Sequence, residues 1–145
     1  MPDDPRPTRT VLLVEDDPND AEFIKRAFKI TLFARKLIHV VSGEAALDHL
    51  FADPIPMPEI VILDLKLPGI SGIAVLRRMR QDPRTARIPT VVITSNATDE
   101  MKIKILGFGA HFFLRKHVDT ERFNAEVLQL ELLWLSLGGP QAAIS

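Results

Sequence analysis

Two short apolar runs in this chain end on acids: Val11-Leu12-Leu13-Val14 closes on Glu15-Asp16-Asp17, and Ile60-Val61-Ile62-Leu63 closes on Asp64. Runs of this length and composition read as buried strands. Laid side by side in a parallel sheet, they bring three or four carboxylates together at their carboxyl ends, where open α/β sheets bind ligands. Like charges at that range raise one another's pKa unless a cation neutralises them. The donors are all oxygen, which suits a hard ion such as Mg2+. A lysine is also at hand, because Lys116 follows the last apolar run, His111-Phe112-Phe113-Leu114, and arrives at the same end of the sheet.

The elements that must place these residues alternate along the chain. A first helix opens with Asp17 as N-cap and Pro18 at its first position, carries Ala21, Ile24 and Phe28 at spacings of three and four, and ends near Ile30. A second strand, Lys36 to Val41, leads through Ser42-Gly43 into a helix with Ala45, Ala46, Leu47 and Leu50 that breaks at Asp53-Pro54. After Asp64 the loop Lys66-Leu67-Pro68-Gly69 turns the chain into a helix with Ile73, Leu76 and Met79 on one face, stopped by Asp82-Pro83. A fourth strand runs from Ile88 to Thr94, and its helix begins after Thr98-Asp99-Glu100, acids suited to the positive end of the helix dipole, and runs to about Phe108-Gly109. The fifth strand ends at Lys116, and a last helix spans about Asp119 to Leu137 with a core stripe of Phe123, Val127, Leu130, Trp134 and Leu137. Five strands and five helices in strict alternation, joined by right-handed crossovers, predict an α/β fold. Its five-stranded parallel sheet is doubly wound, (βα)5 and flavodoxin-like, with strand order 2-1-3-4-5. The last helix has a second stripe, Leu128, Leu132 and Leu135, on a different face. Burying the first stripe on the sheet leaves these leucines toward solvent or a partner.

Composition narrows the function classes. With 145 residues, 46% of them apolar, the chain is one domain's worth, read as residues 9–137 between a proline-rich, disordered tail (1–8) and a terminal tail (138–145). A net charge of −1 gives no footprint for nucleic acid or an anionic membrane. Absence of cysteine excludes disulfides, thiolate metal sites and cysteine nucleophiles. The start, Met1-Pro2-Asp3-Asp4-Pro5-Arg6-Pro7, lacks the basic and apolar regions of a signal peptide, and no apolar run is long enough to span a bilayer. A cytoplasmic location is expected.

Four pieces together resemble the receiver domains of two-component response regulators: Leu-Leu-Val-Glu15-Asp16-Asp17, Ile-Leu-Asp64-Leu-Lys-Leu-Pro68-Gly69, Val-Val-Ile-Thr94-Ser95, and Gly109-Ala110 followed by Lys116. They occur in the family's order and cover residues 9 to about 135. The resemblance implies that Asp64 accepts a phosphoryl group from a phosphohistidine of a sensor histidine kinase, so that the chain is a phosphoacceptor rather than an enzyme, catalysing only its own phosphorylation and dephosphorylation. The chemistry is reasonable, since phosphoryl transfer asks mainly for in-line positioning and cations around the oxygens, and a carboxylate is a competent nucleophile. By the same resemblance Asp16 and Asp64 ligate Mg2+ directly, Glu15 acts through a coordinated water and the carbonyl of Lys66 completes the set. Lys116 and the Thr94 hydroxyl contact the phosphoryl group, and the amides of Leu65, Lys66 and Ser95 donate to it.

The family's readout is implied as well: the threonine moves inward, an aromatic residue on the fifth strand follows, and the face of helix four, strand five and helix five changes. Phe113 holds that aromatic position and has no hydroxyl to favour a wetted rotamer, so constitutive inward packing is expected. His117 stands where the family usually has proline, which removes the usual reason for a cis peptide there. With Asp82-Pro83-Arg84, Ile88-Pro89 and Leu133-Trp134-Leu135-Ser136, the chain looks like the single-domain regulators that serve phytochrome kinases. Members of that group are similar in forming homodimers through the face where Leu128, Leu132 and Leu135 fall. Lys66 and Asn96, each two residues past a motif position, flank the path of a hydrolytic water.

Blander readings compete for the same residues. Asp17 reads better as a helix cap than as a ligand. Gly69 and Gly72 read as turn glycines, since no Gly-rich loop joins the first strand to the first helix. His39, His49, His111 and His117 are scattered without metal-ligand spacing and read as surface or edge residues. Two functions compete with the receiver. A Mg2+-dependent aspartyl phosphohydrolase would keep an acid two residues after its nucleophile, where this chain has Lys66. A pseudo-receiver acting only as a binding module would not need the full set of Glu15, Asp16, Asp64, Thr94 and Lys116.

Overall fold

The five apolar runs form one parallel sheet. In a computed structural model, which describes residues 10–30, 36–52, 57–95, 98–116 and 119–136, the strands are β1 (Thr10–Val14), β2 (Lys36–Val40), β3 (Ile60–Asp64), β4 (Thr90–Thr94) and β5 (Phe112–Arg115). Their order is β2-β1-β3-β4-β5, with parallel pairing throughout, as the sequence predicts. β3 and β4 are buried along their whole length, as central strands of a parallel sheet must be when helices cover both faces. The helices are α1 (Pro18–Ile30), α2 (Gly43–Phe51), α3 (Gly72–Gln81), α4 (Asp99–Gly107) and α5 (Thr120–Ser136). The tails 1–8 and 138–145, the break at Asp53-Pro54, Asn96, His117 and Leu137, and the side chains of Trp134 and Leu135, lie outside the described residues.

Alternation along the strands divides the core in two. Val11 and Leu13, Ile60 and Ile62, Val91 and Ile93, and Leu114 pack against Ala21, Ile24, Ala27 and Phe28 of α1 and Phe123, Val127 and Leu130 of α5. The intervening residues, Leu12 and Val14, Val61 and Leu63, and Val92, pack against Ala46 and Leu50 of α2, Val75, Leu76 and Met79 of α3, and Ile105 of α4. Each helix starts at a side-chain cap. Asp17 accepts from the amides of Asn19 and Asp20 (2.8 and 3.1 Å), Ser42 from Ala45 (3.0 Å), Ser71 from Ala74 (3.2 Å), Thr98 from Met101 (3.1 Å) and Asp119 from Arg122 (2.8 Å). Caps of this kind contribute about 1 kcal/mol apiece and fix where each helix leaves its loop.

Three local expectations are corrected. β4 begins at Thr90 rather than Ile88, because Pro89 has no N–H to give the ladder and the Ile88 amide is used in a turn to the Thr85 carbonyl (3.1 Å). The buried face of α3 centres on Val75, Leu76 and Met79, leaving Ile73 half-buried at its side. β2 stops at Val40, and Val41 is exposed.

Candidate functional site

Strand parity determines which side chains meet at the carboxyl end of the sheet. Continuing the alternation, Glu15 follows Leu13, Asp64 follows Ile62 and Lys116 follows Leu114, so all three fall on the face covered by α1 and α5. Backbone bonds carry the ladder one step past the strands: the Glu15 amide donates to the Val40 carbonyl (3.1 Å) and the Lys116 amide to the Thr94 carbonyl (2.9 Å). The Lys116 ammonium then reaches Glu15 Oε1 at 2.5 Å, Asp64 Oδ2 at 3.0 Å and Asp20 Oδ2 at 3.0 Å, with its side chain only 8% exposed.

Burial sets the electrostatics of this cluster. It pushes the Glu15 carboxyl up to about 7, against the opposing pull of Lys116 and the Asp17 amide, and the Asp64 charge adds to the rise. For Lys116, burial would lower the pKa, but bonds to Glu15, Asp64 and Asp20 outweigh it and hold the ammonium firmly charged. Asp16 is exposed beside the buried pair. One carboxylate oxygen each from Glu15, Asp16 and Asp64 lie within 4.8 Å of one another. Three acids surround one lysine and Asp16 stands beside them, so negative charge remains uncompensated, and an all-oxygen set with one exposed member fits a hard divalent ion arriving from solvent. Among the described residues this is the one such group, and it contains no histidine.

The β3–α3 loop holds Asp64 from behind. Its Oδ1 accepts from the Lys66 amide at 3.3 Å, while the Lys66 side chain points into solvent, and the Gly72 amide donates to the Leu65 carbonyl at 3.1 Å. Gly69 is a turn glycine, with φ of +71°, and the amide of Ile70 beyond it donates to Glu44 Oε1 of α2 at 3.3 Å. Gly72 is not. It opens α3 at an ordinary φ, and its lack of a side chain serves close approach, because a Cβ there would stand 2.8 Å from Leu65 Cα and nearer still to the Asp64 carbonyl oxygen.

Thr94 is buried at the end of β4, one residue beyond Ile93, which pairs with Asp64. By parity it lies on the other face, with Val92, and Val92 pairs with Phe113. Phe113 is half-buried and packs on the cluster between the sheet and α2–α4. Asp17 is a cap, as expected, and not part of the acid group.

Two residues at the site escaped the sequence reading. His39 Nε2 lies 2.8 Å from the Glu15 carbonyl and so pins the β1–α1 turn from the edge strand. Its signal, a polar residue in strand β2 at the register of Leu13, is too weak to single out. Asp20 reads from sequence as an acid in the first turn of a helix, with nothing to point it at Lys116, 96 residues away.

Residues 11–128 match the response regulator receiver domain family. The chain is 30% identical over 139 residues to the response regulator Rcp1 of Synechocystis sp., covering 93% of this chain and 95% of that protein. The crystal structure of the Mn2+-bound form of Rcp1 superposes with a TM-score of 0.76 at 29% identity, over 88% of this chain and 94% of that one. The phosphorylated cyanobacterial phytochrome response regulator RcpA gives 0.78 at 25% identity, over 90% and 96%. Sequence and fold agree over the span that holds every residue of the acid pocket, Asp20 included, and the chain belongs to the response regulator receiver domain family.

Proposed function

We propose that Asp64 accepts a phosphoryl group from the phosphohistidine of a sensor histidine kinase, with Mg2+ as the cofactor. The observation that carries this reading is the Lys116 ammonium seated between Glu15 and Asp64 at the carboxyl end of the sheet. One oxygen of Asp64 attacks phosphorus as the donor P–N bond breaks, and the electron pair of that bond returns to the imidazole of the kinase. Lys116 meets charge on the phosphoryl oxygens, and the amide of Lys66, already on Asp64 Oδ1, holds the carboxylate in its attacking orientation. Asp16 and Asp64 directly, Glu15 through a water and the Lys66 carbonyl would hold the metal. Its part is to neutralise the phosphoryl oxygens and template the in-line approach.

Thr94 then contacts the phosphoryl group by its hydroxyl and the face of α4, β5 and α5 changes, while Phe113, on the same side of the sheet as Thr94, keeps its inward packing. β5 is the edge strand, and the neighbouring helices expose Ile103 on α4 and Leu128 and Leu132 on α5, apolar surface that suits a second copy of the chain. The likeness to phytochrome response regulators supports a phytochrome-type kinase as the donor. Among the described residues no helix is long and apolar enough to cross a membrane. The acceptor proposed here is cytoplasmic and turns over no substrate of its own.

Intact-mass spectrometry after incubation with a small phosphodonor and Mg2+ tests the acceptor. The protein gains one phosphate and the Asp64→Asn variant gains none. Wild type that stays unlabelled, or persistent labelling of Asp64→Asn, would overturn the reading.

A further inference from the structure

Helix geometry predicts a different fate for Asp20 from the one the structure shows. Asp17 is the N-cap of α1 and Asp20 is the third helical residue, where an acid ordinarily folds back to accept the N-cap amide. That amide is already taken, because Asp17 N–H donates to Glu15 Oε2 at 3.1 Å. The Asp20 carboxylate runs instead to Lys116 Nζ, 3.0 Å away, from a side chain that is 20% exposed. An ammonium has three protons. Here they face three carboxylates from three elements: Glu15 past β1, Asp64 at the end of β3 and Asp20 on α1.

We propose that Asp20 is a positioning residue for phosphoryl transfer, holding Lys116 from the α1 side so that the N–H now on Asp64 can pass to an incoming phosphoryl oxygen while the ammonium stays in place. The inference rests on Asp64 being the acceptor. When Asp64 becomes an acyl phosphate it loses its carboxylate charge, and Lys116 loses one of its three anchors as it gains the phosphoryl oxygen. Glu15 is shared with the metal site, so its hold on Lys116 weakens when a cation competes for the same oxygens. Asp20 stands apart from that group and retains the ammonium through both states. Without it, a long and flexible side chain with many rotamers must be ordered by fewer bonds during the transfer.

The test follows phosphorylation by a small phosphodonor with Mg2+ in the full chain, across donor concentrations. Loss of one charge-assisted bond predicts that Asp20→Ala slows the saturating rate roughly tenfold with donor half-saturation little changed. Asp20→Asn, whose amide oxygen still accepts from Lys116, stays within about threefold of wild type by the same reasoning. Because Asp20 acts through Lys116, adding Asp20→Ala to Lys116→Ala slows that variant no further. An Asp20→Ala rate equal to or above wild type, or equal slowing in the Lys116→Ala background, overturns the proposal. Wild type that takes no phosphate overturns the acceptor reading and this inference with it; a labelled wild type with an unslowed Asp20→Ala overturns the inference alone.

Discussion

Gly72→Ala is the most informative single substitution, because helix propensity and packing predict opposite outcomes for it. Alanine in place of glycine within a helix gains about 0.5–1 kcal/mol, somewhat less at a first position. Against that, the added Cβ at residue 72 would press on backbone, 2.8 Å from Leu65 Cα and closer to the Asp64 carbonyl oxygen, neither of which can rotate away as a flexible side chain could. Overpacking of this kind costs about 1–3 kcal/mol, so the net expectation is a loss of roughly 1–2 kcal/mol. For a chain of this size that is a fall of about 3–7 °C in Tm. Gly107→Ala is the matched control. It lies at the end of α4 with no atom near enough to meet a new Cβ, so only the propensity gain remains and stability should rise by about 0.5 kcal/mol. Thermal unfolding of the three proteins side by side decides the matter, and phosphorylation of Gly72→Ala should also slow, since the shift moves the loop whose Lys66 amide holds Asp64. A Gly72→Ala protein as stable as Gly107→Ala would refute the close-approach argument.

Two further outcomes are expected. If α5 meets its own copy, Leu132, 57% exposed, enters a two-fold interface twice. Burying its remaining half is worth about 1 kcal/mol per copy, so Leu132→Glu weakens the dimer at least roughly thirtyfold. Sedimentation that gives the same assembly state for both proteins would exclude that face. His111 Nδ1 accepts from the Thr90 amide and faces Arg80, both at 3.2 Å, and burial together with the Arg80 charge lowers its pKa. A depressed histidine binds its proton more readily in the unfolded chain, so the stability it contributes is complete above about 6.5 and drains away as pH falls below that value. His111→Ala therefore starts less stable at pH 7.5 but loses less between pH 7 and 5 in urea unfolding. An equal loss in the two proteins would show that the ring does not titrate against this network.

What was legible in the sequence was local. Strand ends and caps are written within a few residues of where they act, which is why Asp17 and Ser42 could mark helix starts and Asp64 a strand end. Parallel pairing did the rest, because strands laid side by side bring their carboxyl ends, and with them Glu15, Asp64 and Lys116, to one edge of the sheet. Competition between distant groups was not legible. Asp20 could satisfy either the Asp17 amide or Lys116, and the choice turns on Glu15 having reached that amide first. Gly72 carries the same letter whether it relieves a turn or admits a backbone, and only the proximity of Leu65 separates the two. Charge balance is of this kind too. The burial that pushes Glu15 up to about 7 depends on α1 and α5 closing over the sheet, yet the same burial leaves Lys116 among three acids and firmly protonated. A buried cation amid more acids than it can neutralise leaves the site able to draw in a divalent ion and still hold a proton donor for an anion. Both properties come from one ammonium with three carboxylates around it, a count that exists only once the helix that brings Asp20 has packed.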